Sequence, residues 1–190
     1  MSVGIGEPDV VATAEHNAGM AERAPLSLIQ DARLLLLGLW LGAALFFSFV
    51  VAPSAFAILR DSTALYANHL AGSIVTRNLS VINTSGFVMS LMLLVSAFVL
   101  RSRRRFAFLA ELISIAIVAI ATGVGEWVIA AKMVALRAQM ARPIDETAAT
   151  DPLRVAFNSL HGYSVAALVV AMLAALVAFI FMARSRRVAG

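Results

Sequence analysis

LLLLGLWLGAALFFSFVVAPSAFAIL, residues 34–59, carries no charged side chain between Arg33 and Arg60. It is longer than the roughly 20 apolar residues that an α-helix needs to cross a bilayer core. Three further long apolar runs follow at residues 78–100, 106–131 and 155–183, of which the run 106–131 carries Glu111 and Glu126. Because lipid offers the backbone no hydrogen bonds, spans of this length must be helical. The sequence therefore predicts an all-α membrane protein, a four-transmembrane-helix bundle, with helices at about residues 32–59, 78–100, 106–141 and 152–183.

The composition favours the same class of protein. Of the 190 residues, 61% are hydrophobic and 14% are charged, whereas soluble domains are roughly half apolar and about a quarter charged. No basic face with interleaved aromatic residues is visible, so nucleic acid is not an expected partner. The lack of cysteine excludes disulfides, thiolate metal sites and a cysteine nucleophile. Residues 1–28 are more polar and acidic, and we expect a disordered tail there, followed by the transmembrane domain at residues 29–187.

Arginine clusters predict the orientation of the bundle. RSRRR, residues 101–105, links the second and third spans, and RSRR, residues 184–187, follows the fourth span. With four spans both clusters lie on one side, which the positive-inside tendency assigns to the cytoplasm. We therefore expect both termini in the cytoplasm and a multi-pass protein of the bacterial inner (plasma) membrane.

The connections between the spans carry their own signals. Apolar residues recur at near-helical spacing in residues 61–77, which predicts a short interfacial helix between the first two membrane helices. Pro53 is expected to kink or terminate the first span. Asp151 followed by Pro152 is typical of a helix N-cap with proline at the first helical position, so the fourth helix is expected to begin there.

Polar residues inside the spans are the candidate functional residues. Glu111, Ser114, Thr122 and Glu126 share one face of the third helix, and Glu111 is expected to form a structural pair near the 101–105 arginines. Three other polar residues, Asn83, Asn158 and His161, enter from the non-cytoplasmic side with Glu126. Polar groups in lipid are expensive and often mark ion or solute pathways. We therefore predict that Asn83, Glu126, Asn158 and His161 form a ligand- or ion-binding cluster.

Two segments carry a resemblance to a known family. LWLGAALFFSFVVAPSAF in the first span and FNSLHGYS before the fourth resemble the transmembrane protein 205-like family, also described as domain of unknown function 4149. The resemblance covers roughly residues 30–183. It implies four membrane helices in a bundle and brings no established activity. The residues that carry it are Trp40, Gly42, Phe46, Pro53, Phe56, Phe157, His161, Gly162 and Ser164.

Three functions are compatible with these residues. The first is an uncharacterised membrane protein that binds or moves an ion or small solute through the outer-side polar cluster. The second is assembly with itself or another membrane protein through the Gly38/Gly42 pair and the alanine-rich fourth helix. The third is a metal- or haem-binding protein that uses His69 and His161, for which the sequence offers no further ligands.

Enzyme activity is not expected, because no G-x-S-x-G, H-E-x-x-H or phosphate-binding loop occurs in the sequence. No cofactor is expected either. The lipid bilayer is the expected partner, joined in the second alternative by a protein.

Overall fold

The computed structural model describes residues 7–62, 66–100, 105–140 and 142–187. Its regular elements are helical throughout this part of the chain. The bounds are α1, Glu7–Phe46; a π-helical turn, Phe47–Val51; α2, Ala52–Asp61; α3, Ala67–Leu100; α4, Arg105–Gly123; a second π-helical turn, Val124–Ala130; α5, Ala131–Gln139; and α6, Pro152–Arg187.

Four helical segments of the described chain are long and apolar enough to cross a membrane. They are Ser27–Asp61, Ala67–Phe98, Arg105–Gln139 and Pro152–Ser185. The predicted number of spans is therefore confirmed. The outward faces are apolar as well, since Leu35, Leu39 and Phe49 on the first span are each more than 70% exposed. An apolar surface of this kind belongs in lipid, so the protein is an integral multi-pass membrane protein.

Two expectations about local structure differ from the observed fold. Helix α1 begins at Glu7, so residues 7–28 are helical where the sequence predicted a disordered tail over residues 1–28; residues 1–6 lie outside the described part. Good helix formers such as alanine, glutamate and methionine are frequent there. Residues 67–77 are the first turns of α3 and do not form the separate short helix predicted between the first two spans. No residue in this stretch breaks the helix before the second span.

The spans alternate in direction around a core of small and aliphatic side chains. Phe106 at the start of α4 and Phe181 near the end of α6 pack edge to face, with ring centroids 6.3 Å apart. The start of α4 and the end of α6, which adjoin the two arginine-rich stretches of the sequence, therefore lie at one end of the bundle, which we call the basic end. In the middle, Ala171, Ala175 and Ala178 of α6 are completely buried. Small side chains at this spacing let helices approach closely in lipid, where the hydrophobic effect contributes little to association.

Pro53 perturbs the first span without ending it. Proline has no N–H to donate to the carbonyl four residues earlier, so the regular ladder is interrupted at that turn. The helix widens into the π-helical turn Phe47–Val51 just before the proline and then continues as α2 to Asp61. Of the two outcomes predicted for Pro53, termination is therefore wrong.

Trp40 and Gly86 fit together where α1 meets α3. The indole Nε1 donates a hydrogen bond of 3.0 Å to the Ile82 carbonyl, and the side chain is 6% exposed. A Cβ at Gly86 would lie 2.6 Å from Trp40 Cζ2. Gly86 therefore provides the space that the indole occupies. By contrast, a Cβ at Gly42, two residues after this tryptophan, would meet no atom within 4 Å.

Candidate functional site

A buried ion pair joins three spans in the half of the bundle toward the basic end. Arg33 on α1 donates to Glu111 on α4 and, over 3.3 Å, to the Leu93 carbonyl on α3. Both charged residues are buried. Glu111 forms a structural pair, as expected, and its partner among the described residues is Arg33; residues 101–104 of the arginine cluster lie outside the described chain. Pairing spares both charges the full penalty of isolation in lipid.

The polar stripe of α4 turns inward along most of its length. Glu111, Ser114 and Thr122 are all buried inside the bundle, and Thr122 donates a 2.7 Å hydrogen bond to the Val118 carbonyl. Helical spacing placed these residues on one face, and the structure directs that face away from lipid. Glu126 lies beyond them, in the π-helical turn Val124–Ala130, where the stripe opens into a cavity.

The cavity lies at the end of the bundle opposite the basic end and has a volume of about 330 Å³. Side chains of all four spans and of the connection before α6 line it. The four predicted site residues, Asn83, Glu126, Asn158 and His161, are all among them. The structure therefore brings together in one space the polar residues that the sequence placed on three separate helices.

Glu126 and Asn83 form the deep part of the cavity wall. Ser80 Oγ donates a hydrogen bond of 2.6 Å to Glu126 Oε1. Glu126 Oε2 is buried and has no hydrogen-bond partner among the described residues. Asn83 is 3% exposed, and a Cβ at Gly125 would lie 3.0 Å from its Nδ2 atom. The absence of a side chain at Gly125 thus lets α3 approach the π-helical turn that carries Glu126.

Arg137 on α5 lies nearer the mouth of the cavity. Its guanidinium carbon is 4.9 Å from the centre of the Phe157 ring, in cation–π geometry. A Cβ at Gly72 would be 2.8 Å from Arg137 Nη2, so this glycine makes room for the guanidinium on α3. Arg137 Nε is buried without a hydrogen-bond partner in the described chain.

Sequence analysis did not include Arg137 among the candidate site residues. A signal for it was present, because eleven residues after Glu126 correspond to about three helical turns and return to nearly the same face.

The connection from residue 142 to residue 151 folds back over the start of α3. Asp145 accepts hydrogen bonds from Asn68 Nδ2, at 2.6 Å, and from the His69 backbone N–H, at 3.0 Å. It therefore caps α3, whose first N–H groups have no partner within the helix. Arg154, which also lines the cavity, donates to the Thr147 carbonyl and holds the other half of the connection.

Asp151 caps the start of α6, as predicted. Its Oδ1 accepts hydrogen bonds from the backbone N–H groups of Leu153, at 2.8 Å, and Arg154, at 3.4 Å. Pro152 occupies the first position of the helix, where an N–H would have no intrahelical acceptor. The N-terminal part of α6 is thereby fixed beside the cavity.

His161 and Asn158 form the rim of the cavity, since both side chains are exposed as well as lining it. His69 is not among the lining residues, so the two histidines of the third functional alternative do not share this space. Over the described ranges, no group of three or more histidine, aspartate or glutamate residues could hold a metal ion.

Tyr66 stands next to the capped start of α3. Its φ of 62° lies in the left-handed region, which is costly for a residue with a bulky side chain. A hydrogen bond to Glu146, and the negative charge of that carboxylate, raise the pKa of the Tyr66 phenol. Together with Asp145, this contact ties the connection before α6 to the beginning of α3.

The family of the chain follows from a comparison with family models. The model described as Domain of unknown function (DUF4149) matches residues 35–142. The chain belongs to this family. The DUF4149 match includes Trp40, Gly42, Pro53, Asn83 and Glu126. The FNSLHGYS segment lies beyond the matched residues, so the resemblance there stays a prediction. No curated protein and no solved structure matches the chain.

Proposed function

We propose that this DUF4149 protein binds a small solute or ion in the cavity at the end of the bundle opposite the arginine clusters, and that binding is a step in its passage across the membrane. The observation that carries the proposal is the buried Glu126 Oε2, which has no described hydrogen-bond partner and belongs to a residue that lines the cavity. A buried acceptor without a partner is costly, and a bound molecule that donates to it removes this penalty.

The polar residues have distinct roles in this proposal. Glu126 is the deep acceptor and an exchangeable proton site, held in orientation by Ser80. His161 is at the rim, where its imidazole contacts an entering ligand and exchanges protons with solvent. The positive-inside tendency assigns the basic end to the cytoplasm, which would open the cavity to the other side of the membrane.

Reconstitution tests the proposal. Purified protein in proteoliposomes is assayed for uptake of chemically diverse small solutes and ions, and in nanodiscs for a rise in unfolding temperature with the same compounds. Glu126→Gln and His161→Ala are expected to weaken binding and uptake. His69→Ala is the matched control, because His69 does not line the cavity. Unchanged binding and uptake in both cavity variants would contradict the proposal.

A second candidate function is assembly with another membrane protein or a second copy. Gly42 and Gly162 favour it, because a Cβ at either position would meet no atom within 4 Å. A glycine in a helix destabilises it by about 1 kcal/mol relative to alanine, and packing inside this chain does not account for either residue. Crosslinking in native membranes is expected to give oligomers that Gly42→Leu abolishes. Recovery of monomers alone would refute this alternative.

A further inference from the structure

Two guanidinium groups line the cavity without a compensating carboxylate. Neither Arg137 nor Arg154 forms an ion pair with a described residue. By contrast, Arg33, which is buried in the other half of the bundle, forms an ion pair with Glu111. An arginine in a partly buried apolar setting normally has an anionic partner, because its charge is expensive to desolvate alone.

The acidic residues that line the cavity, Asp145 and Glu126, form no ion pair with these two arginines. Both Asp145 oxygens are occupied by the start of α3, through Asn68 and the His69 N–H. Glu126 lies about 16.5 Å along the helix axis from Arg137 by helical rise and accepts a hydrogen bond from Ser80. At that separation, and with an effective dielectric of about 20, two unit charges interact by only about 1 kcal/mol. The two guanidinium groups are therefore left without a paired carboxylate among the described residues.

Contacts with two other helices hold the Arg137 guanidinium in place beside the cavity. One face of the guanidinium lies over the Phe157 ring, and Gly72 gives it room on the other helix. The buried Nε has no described acceptor. Guanidinium groups held in this way bind carboxylate or phosphate through two parallel N–H···O bonds. Stacking on Phe157 fixes the plane of the group before any ligand arrives.

The rest of the wall is suited to an apolar body. Phe56, Val75, Leu79, Met133 and Phe157 line the same space. The cavity volume of about 330 Å³ falls at the lower end of the roughly 300–1,000 Å³ that is typical of small-molecule sites. The site thus combines two guanidinium groups with an apolar stretch of wall.

We propose that the ligand of this cavity is an amphipathic anion, whose carboxylate or phosphate group binds Arg137 and Arg154 while its apolar part lies against the wall around Phe157. This inference rests on the proposed function and specifies the class of its ligand. The same headgroup chemistry is offered by a soluble compound and by an anionic lipid.

The test compares ligands that share a chain and differ in charge. Hexanoate, hexyl phosphate, hexanol and hexylamine are titrated calorimetrically into the protein in nanodiscs of zwitterionic lipid. Hexanoate and hexyl phosphate are expected to bind at least about tenfold more tightly than hexanol, the difference typical of one charge-assisted hydrogen bond. Arg137→Gln is expected to remove that preference, whereas Arg77→Gln, an exposed arginine of α3 outside the cavity, leaves it intact.

Additional variants and a lipid competition experiment separate the possible outcomes of this test. If Arg137→Gln does not fold, Arg154→Gln and Arg137→Lys replace it, and both are expected to weaken anion binding. Competition by anionic lipid added to the nanodisc would assign the site to a lipid headgroup, and lack of competition would assign it to a soluble anion; either result requires anion binding. Tighter binding of hexanol or hexylamine than of hexanoate would overturn the anion proposal while leaving solute binding in place. If none of the four compounds binds, the anion proposal is also overturned. The proposed function is then tested separately, by the broader set of solutes and ions assayed with the Glu126 and His161 variants.

Discussion

Arg33 and Glu111 are 78 positions apart in the sequence and form a buried ion pair between the first and third spans. The same arginine also donates to the Leu93 carbonyl, so one side chain connects three helices. This pair lies apart from the cavity, and its two charges are each other's counter-ions. Its contribution is therefore to hold the basic half of the bundle together.

Glu111→Gln is expected to lower the free energy of unfolding by about 3–5 kcal/mol, because it leaves the Arg33 charge buried without a counter-ion. Chemical unfolding in detergent, followed by circular dichroism, measures the change. The double substitution Arg33→Met and Glu111→Leu is expected to recover most of the loss, since it removes both charges. A single variant as stable as the parent protein would show that the pair contributes nothing.

Gly86→Ala is expected to destabilise the protein by about 1–3 kcal/mol, the usual range for overpacking. The new Cβ would stand 2.6 Å from the Trp40 ring, which must move and lose its 3.0 Å hydrogen bond to Ile82. Tryptophan fluorescence during unfolding reports both effects. Gly42→Ala is the control, and it is expected to be neutral or to stabilise by up to about 1 kcal/mol through helix propensity. Equal destabilisation by the two alanines would contradict the role given to Gly86.

Asp145→Ala is expected to loosen the beginning of α3. The substitution removes the acceptor of the Asn68 side chain and the His69 N–H, and loss of such a cap costs about 1 kcal/mol. Hydrogen exchange should accelerate at residues 67–70. Asp151→Ala offers a comparison, because it removes the cap of α6 and should accelerate exchange there instead. Identical exchange at α3 in the parent and the Asp145 variant would refute the cap.

Tyr66 is expected to ionise at a higher pH than an ordinary tyrosine, whose pKa is about 10. The hydrogen bond to Glu146 favours the protonated phenol, and the nearby negative charge disfavours tyrosinate, so both effects raise the pKa. Ultraviolet titration in a Tyr163→Phe background isolates this residue, because the chain has two tyrosines. Glu146→Gln should move the transition to lower pH. A titration that is the same with and without the carboxylate would exclude the contact.

The spans, the inward polar stripe and the Asp151 cap could be predicted because each follows from local sequence. Span length, helical periodicity and the Asp-Pro pair depend on residues that are neighbours in the chain or on one helix face. The convergence of Asn83, Glu126, Asn158 and His161 on one cavity could be anticipated from depth alone, since alternating helices place residues near the same end of the bundle.

The remaining features depend on contacts between distant segments. Glu111 had several arginines within reach by sequence, and only the packing of α1 against α4 selects Arg33. Helical spacing indicated the face on which Arg137 lies, but its surroundings, Gly72 and Phe157, come from other segments. Residues 67–77 form the first turns of α3, and Asp145, which is far along the chain, caps the start of this helix. Such interactions cannot be read from periodicity.

The π-helical turn Val124–Ala130 also determines the direction, around the helix axis, of every side chain that follows it in the same helix. A wide turn of this kind accommodates one extra residue, which shifts the downstream side chains by about 100° relative to an uninterrupted α-helix. Excising a single residue from this turn would leave the composition and hydropathy of the span almost untouched. It would nevertheless rotate Arg137 off Phe157 and toward another quadrant of the bundle. The position of Arg137 over the Phe157 ring therefore depends on an insertion in the helix and not on the identity of any one side chain.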